Sequence, residues 1–272
     1  MNTRIRTELN RLKESYFSNK EIVKLWFRNH KLLGLGAMNP KLKKQEDVLN
    51  VKSYILYMLP HKWAGVGNTC QHATPACIFS CLVWAGLGAF DLKVLASRLR
   101  KTLFYFWFPE EFDARLHHEL DTLEQKQATS SKQYCIRLNG GSDLDYLATY
   151  EQYPTLTFWE YTKDFNRAME YLTDPNFPTN VHLAFSASEK STDEQLLAVL
   201  KAGGRVAMVM DSTPTSNANF KWHGFPVENG DTHDFFFLRP KGIVLALYPK
   251  GTNARKKERQ GFVRRSLPMV AY

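Results

Sequence analysis

The sequence predicts an α/β fold: a parallel (β/α) barrel or partial barrel with an N-terminal helical extension, a C-terminal β-hairpin and a basic tail. Three observations carry that reading. From residue 134 to 210, short apolar runs alternate with segments of helical spacing. The runs are apolar throughout, the pattern of parallel strands covered on both faces. At 272 residues the chain has the length for one sizeable domain with appendages.

Taken in order, residues 8–33 carry Leu9, Leu12, Tyr16, Ile22, Leu25, Trp26 and Leu33 at helical spacing, with Lys and Arg between them. This predicts one broken helix or two short ones. Gly34, Gly36, Asn39 and Pro40 mark a loop. Residues 53–59 (SYILYML), stopped by Pro60, read as a buried strand, residues 82–123 as mainly helical and the polar stretch 125–132 as a loop. Strands follow at 134–138, 155–161, 181–185 and 205–210, and helices at 145–150, 165–172 and 192–201. Residues 235–238 and 243–248, joined by Arg239–Gly242, read as the terminal hairpin. The division expected is a basic helical extension at 1–46, a barrel-like domain at 47–252 and a basic tail at 253–272.

The net charge is +9, unevenly placed. Residues 1–46 hold eleven Lys and Arg against four Glu, and residues 239–272 hold nine against Glu258 alone, so the middle is mildly acidic. Basic ends of this kind place nucleic acid among the expected partners, through phosphate contacts; the alternative is solvated ends. No run of about 18 apolar residues occurs, so no membrane span is expected. The N-terminus lacks the apolar segment of a secretory signal. With four clustered cysteines, which fit a reducing compartment, this leads to a cytoplasmic expectation.

Three of those cysteines, Cys70, Cys77 and Cys81, fall within twelve residues in GNTCQHATPACIFSC, after the first predicted strand. Three thiolates on one loop suit an iron–sulfur cluster or a zinc ion, which supplies the positive charge that permits their deprotonation. Zinc is the direct rival, with His72 completing a Cys3His set; buried small residues are the plain alternative. In a parallel α/β fold, ligands gather at the strand carboxyl ends. There the sequence places the cysteines, 139–143 with the pair Gly140 and Gly141, 160–164, 186–189 and 211–213. His117 and His118 invite a metal or nuclease reading, against which adjacent residues point to different helix faces; Asp231, His233 and Asp234 either supply ligands or acid/base groups near a turn or merely shape it. Lys163 and Asp164 are either functional or the opening of a helix with Asp164 as its N-cap. Cys135 lies inside a strand and reads as core.

The succession CQHATPACIFSC, RLNGGSDLDY, FWEYTKDFNR, HLAFSASE and HDFFFLRPKGIVLALYPKG, over roughly residues 65–263, resembles the phage protein family named after mycobacteriophage gene product eighty-eight. More loosely, a cysteine triplet after the first strand and a glycine pair after the second resembles the radical S-adenosylmethionine (SAM) enzymes. That resemblance implies a 4Fe-4S cluster on Cys70, Cys77 and Cys81, whose fourth iron chelates the methionine moiety of SAM. It implies Gly140, Gly141 and Ser142 as the segment against the SAM amino group, with Ser186, Ser188 and Glu189 as candidates for its ribose or carboxylate. The cysteine spacing departs from the superfamily pattern, six residues then three in place of three then two, and Ser142 stands where an acidic residue is usual. Three functions follow: a radical-SAM-like iron–sulfur enzyme acting on nucleic acid or a nucleotide in the host cytoplasm, a zinc-stabilised nucleic-acid-binding protein, and a non-catalytic phage interaction protein on a barrel scaffold.

Overall fold

The computed structural model describes residues 3–82, 91–214, 220–250 and 261–264. Within them the protein is mixed α/β, with nine strands, mostly paired in parallel, and nine α-helices. The chain forms two compact units, Met1–Gln71 with Leu82–Phe158 and His72–Cys81 with Trp159–Tyr272.

The first unit opens with α1 (Thr3–Ser18) and α2 (Glu21–Trp26). Ile5, Leu9 and Tyr16 bury one face of α1 while Arg4, Arg6 and Arg11 stay on the solvent side. β1 (Gly34–Leu35), α3 (Pro40–Leu49) and β2 (Val51–Ile55) follow, and β1 pairs antiparallel with β2. β2 lies parallel to β3 (Gln133–Arg137), Val51 opposite Gln133 and Ile55 opposite Arg137, and β3 runs parallel to the start of β4 (Thr157–Thr162). Between β2 and β3 the chain forms α4 (Pro75–Phe79), which belongs to the second unit, then α5 (Leu92–Trp107) and α6 (Pro109–Ala128). Asp91 caps α5 by accepting from the amides of Lys93 and Val94, and Pro109 opens α6 with Glu110 and Glu111 in its first turn. The apolar stripe of α5, Leu95, Leu99 and Leu103, is buried together with Phe112, Leu116 and Leu120 of α6. α7 (Leu147–Gln152) follows β3.

The second unit contains α8 (Phe165–Thr173), β5 (Val181–Ser186), α9 (Asp193–Lys201), β6 (Arg205–Val209), β7 (Lys221–Trp222), β8 (Phe225–Asn229) and β9 (Ile243–Leu247). Its strand order is β5-β6-β9-β8-β7, parallel except for the antiparallel pair β7 and β8. Thr192 opens α9 with a capping box: its side chain accepts from the Gln195 amide, and the Gln195 side chain accepts from the Thr192 amide. Leu196, Val199 and Leu200 of α9 pack with Val206 and Met208 of β6, Val244 and Ala246 of β9, and Val227 of β8. Every residue of β6 and β9 but the last is buried, as near-continuous apolar runs require.

The structure corrects the sequence reading in several places. The strand order is open: among the described residues β1 pairs only with β2 and β7 only with β8, whereas a barrel leaves no strand with one neighbour. The C-terminal hairpin is absent. Phe236–Leu238 is a single 3-10 turn, and β9 joins β6 and β8 in parallel. The physical reason is Arg205, a buried guanidinium at the start of β6, which donates to the carbonyls of Phe237, Arg239 and Pro240 and so draws that stretch into a turn. The hairpin that does form is β7 with β8. Residues 125–128, expected as loop, finish α6, and the expected loop at 34–40 holds β1 and a 3-10 turn, with α3 beginning at Pro40. Residues 83–90 of the predicted helical stretch, and the predicted basic tail apart from 261–264, lie outside the described residues.

One buried carboxylate fixes the entry to the first unit. Glu119 on α6 accepts from the amides of Leu32 and Leu33 at 2.7 and 2.9 Å and from Arg115 at 3.1 Å. Glu119→Ala leaves two buried backbone donors unmatched, and urea unfolding should show a loss of about 2–4 kcal/mol, with Glu119→Gln losing less. A variant as stable as the parent would show that water replaces the carboxylate.

Candidate functional site at the strand carboxyl ends

In the first unit the site begins where β2 and β3 end. The Leu56 amide donates to the Arg137 carbonyl at 2.9 Å, and the Gly140 amide donates to the Leu56 carbonyl at 3.0 Å, so the pairing continues into both loops. A Cβ at position 140 would lie 2.5 Å from Ile55 Cγ2 and 2.8 Å from the Leu56 oxygen, so the backbone approach itself demands glycine there. The loop from β2 returns through Thr69, whose hydroxyl donates to the Leu59 carbonyl at 2.7 Å. The Asp143 amide then donates to the Thr69 carbonyl at 2.7 Å, and Cys70 forms a parallel bridge with Asp143. The Cys70 thiol thereby reaches the Gly141 carbonyl at 3.7 Å.

Asn139, which the sequence reading placed at the strand end without giving it a role, organises the loop after β3. Its side-chain oxygen accepts from the Leu144 amide at 2.9 Å and from Ser142 Oγ at 2.8 Å, while its amide donates to the Leu144 carbonyl at 2.9 Å. Its context, RLNGGSD, carries the signal for that role, since Asn beside a glycine pair is a turn-forming combination.

In the second unit, residues 72–81 are held by carboxylates at the ends of β4 and β5. Glu189 accepts from Thr74 Oγ1 at 2.6 Å and from the Ala76 amide at 3.0 Å. Thr74 is the N-cap of α4, its hydroxyl accepting from the Cys77 amide at 3.4 Å. His72 Nε2 lies 3.3 Å from Asp164, which also caps α8 through the amides of Asn166 and Arg167. Lys163 donates to Ser186 Oγ at 2.9 Å and lies 5.7 Å from the Phe262 ring centroid. Ser188 is buried, and its hydroxyl accepts from the Lys190 amide at 3.2 Å. Arg264 donates to the Ser191 carbonyl at 2.6 Å and to Asp193 at 2.8 Å.

The four cysteines, all thiols, divide by environment. Cys70, Cys77 and Cys81 are half-buried, whereas Cys135 on β3 is fully buried and burial pushes its thiol up to about 12. Among the described residues no group of three or more His, Cys, Asp and Glu side chains is arranged to hold a metal ion. The donor chemistry of the cysteine segment therefore suits a metal, but no ready-made coordination sphere is present. The weaker sequence candidates have ordinary partners: His117 meets the Tyr153 hydroxyl at 2.9 Å, His118 is exposed, and Asp231 accepts from the Tyr248 amide and pairs with Lys250.

Residues 31–266 match the Gene product 88 family, and the chain belongs to that family of phage gene products. No curated protein and no solved structure matches the chain, and the radical SAM resemblance has no counterpart in these comparisons. Among the described residues no helix is long and apolar enough to cross a membrane.

Two predictions follow from the site. Iodoacetamide at pH 8 should label Cys70, Cys77 and Cys81 in the folded protein and leave Cys135 unmodified until denaturant is added, because a thiol held near 12 presents almost no thiolate. Peptide mapping that finds Cys135 labelled as fast as the others would contradict its burial. Glu189→Ala removes the acceptor shared by Thr74 and Ala76, so amide exchange across residues 74–80 should accelerate about tenfold or more while β6 and β9 keep their protection. Unchanged exchange in that segment would show that Glu189 is not what holds it.

Proposed function

We propose that this Gene product 88 family member is a radical-SAM-like metalloenzyme in which Cys70, Cys77 and Cys81 hold an iron–sulfur cluster, acting on nucleic acid or a nucleotide in the host cytoplasm. The observation that carries the reading is the contact between the two sequence features on which it rests. The loop after β2 and the loop after β3 are joined through the Thr69 carbonyl and the Asp143 amide, and the Cys70 thiol reaches the Gly141 carbonyl. The first cysteine and the glycine loop thus share one strand-end surface, the place where parallel α/β sheets bind ligands. A bound cluster would supply a one-electron redox centre with an open coordination position.

The residues of the chain have distinguishable parts in this proposal. Asn139 presets the glycine loop, so that Gly140 and Gly141 present backbone rather than side chains. Ser142 holds Asn139, and Ser188 its own turn, so their hydroxyls act by positioning. Ser186, joined to Lys163, is the better candidate for a polar ligand group at the end of β5. Glu189 positions the segment carrying Cys77. The exposed arginines of α1 give a basic face for a phosphate-bearing substrate.

The test is anaerobic purification and reconstitution followed by iron, sulfide and zinc analysis. Cys70→Ser, Cys77→Ser and Cys81→Ser should each lose most of the iron, and Cys135→Ser should keep it. Equal metal in all four variants rejects the ligand set. Colourless protein with stoichiometric zinc replaces the cluster with a zinc site, and protein that binds neither metal leaves the scaffold reading. If the reconstituted protein shows no calorimetric SAM binding at millimolar ligand, the SAM part of the proposal fails.

A further inference from the structure

A cavity of about 520 Å³ opens in the first unit between the end of α5, the start of α6 and the segment entering α7. Its size falls within the range of sites for small organic ligands. Tyr105, Phe106 and Tyr146 supply aromatic wall, and the charged residues lining it are Asp113 and Asp145. We propose that this cavity binds a small organic cation, its ammonium or amidinium head facing Asp113 and Asp145 and its apolar body lying against Tyr105, Phe106 and Tyr146. The proposal goes beyond the cluster reading and does not rest on it.

The walls are set before any ligand arrives. A Cβ on Gly67 would fall 2.3 Å from the Phe106 ring, so that ring lies flat against the backbone three residues before Cys70. Tyr105 meets Phe106 and Phe112 edge-on, with centroids 5.0 and 5.2 Å away. Asp145 follows directly on Leu144, whose amide and carbonyl are both held by Asn139, and its carboxylate accepts from the Leu147 amide at 2.9 Å. Tyr146 is buried.

The chemistry of the lining selects the ligand class. Two carboxylates without a lining cation repel phosphates and other anions and offer acceptors to N–H donors. Asp113 and Asp145 are solvent-exposed, and partial burial raises the Asp113 carboxyl above its ordinary range against an opposing effect of nearby His117. Aromatic faces attract organic cations and give an apolar stem a surface to cover. A bare divalent ion fits less well, since it needs more oxygen ligands than two carboxylates provide and no such group is assembled among the described residues.

The experiment compares benzamidine with its neutral isostere benzamide by saturation-transfer NMR and calorimetry on the metal-free full chain. Benzamidine should bind, and benzamide about tenfold more weakly or not at all. Asp113→Asn/Asp145→Asn should lose at least about tenfold in benzamidine affinity while keeping the parent circular dichroism, because Asn at 145 preserves the acceptor for Leu147. Ala148→Trp, which fills the cavity without changing charge, should also abolish binding. The proposal is overturned if wild-type protein does not bind benzamidine at millimolar concentration, if benzamide binds equally well, or if either variant keeps the parent affinity.

Discussion

The parallel pairing of β2 with β3 is the constraint on which the candidate site in the first unit depends, because it persists past the ends of both strands. The Leu56 amide still bonds to the Arg137 carbonyl, and the Gly140 amide then bonds to the Leu56 carbonyl. Only glycine tolerates that approach at 140. The two loops therefore leave the sheet in contact and meet again at Thr69 and Asp143, which fixes the backbone of Cys70 through hydrogen bonds rather than through packing. Without this second meeting the segment from 56 to 70 would carry its polar backbone to solvent, and nothing would set the first thiol against the glycine loop.

A second theme is the way acidic residues are used. Glu119 holds the amides of Leu32 and Leu33, Glu189 that of Ala76, Asp91 opens α5, Asp164 opens α8, and Asp145 holds Leu147. Part of the acidity of the middle of the sequence is thus engaged with backbone donors at helix ends and loop corners. Charge-assisted bonds of this kind are roughly twice as strong as neutral ones. The carboxylates so engaged are poor candidates for general acid–base chemistry. Arg4, Arg6 and Arg11 of α1, by contrast, are exposed to solvent.

What was legible in the sequence follows from local pattern. The alternation from β3 to β6 was readable because the strands are short runs rich in apolar residues and two of the helices open on capping residues, Asp164 and Thr192. β8 was not, because FPVEN holds Pro226 and Glu228, and β7 has only two residues. Phe235–Leu238 imitated a strand through its aromatics, while its actual conformation is set by Arg205, more than thirty positions earlier. Barrel closure was equally illegible, since it depends on what the end strands pair with and not on any one strand's composition. In the site, the cysteine cluster was visible as spacing. The bond between Thr74 and Glu189 crosses 115 positions and left no local trace.

Gly140 and the cysteines show how far residue type can be trusted as a pointer to chemistry. A glycine placed for a ligand and one placed for the Leu56 carbonyl look the same in sequence, and the close approach to Leu56 by itself already requires glycine here. The thiols separate more cleanly, because the chain carries its own comparison. Cys135 does what a packing cysteine does: it is fully buried in a strand, and its thiol is held in the protonated form. Cys70, Cys77 and Cys81 are half-buried, sit on loop or short-helix positions and fill no comparable place in the core. Their partial exposure is the kind of access that thiol chemistry requires and that Cys135 lacks. The two cysteine environments within one chain therefore differ in access to solvent, a difference that residue type alone does not carry.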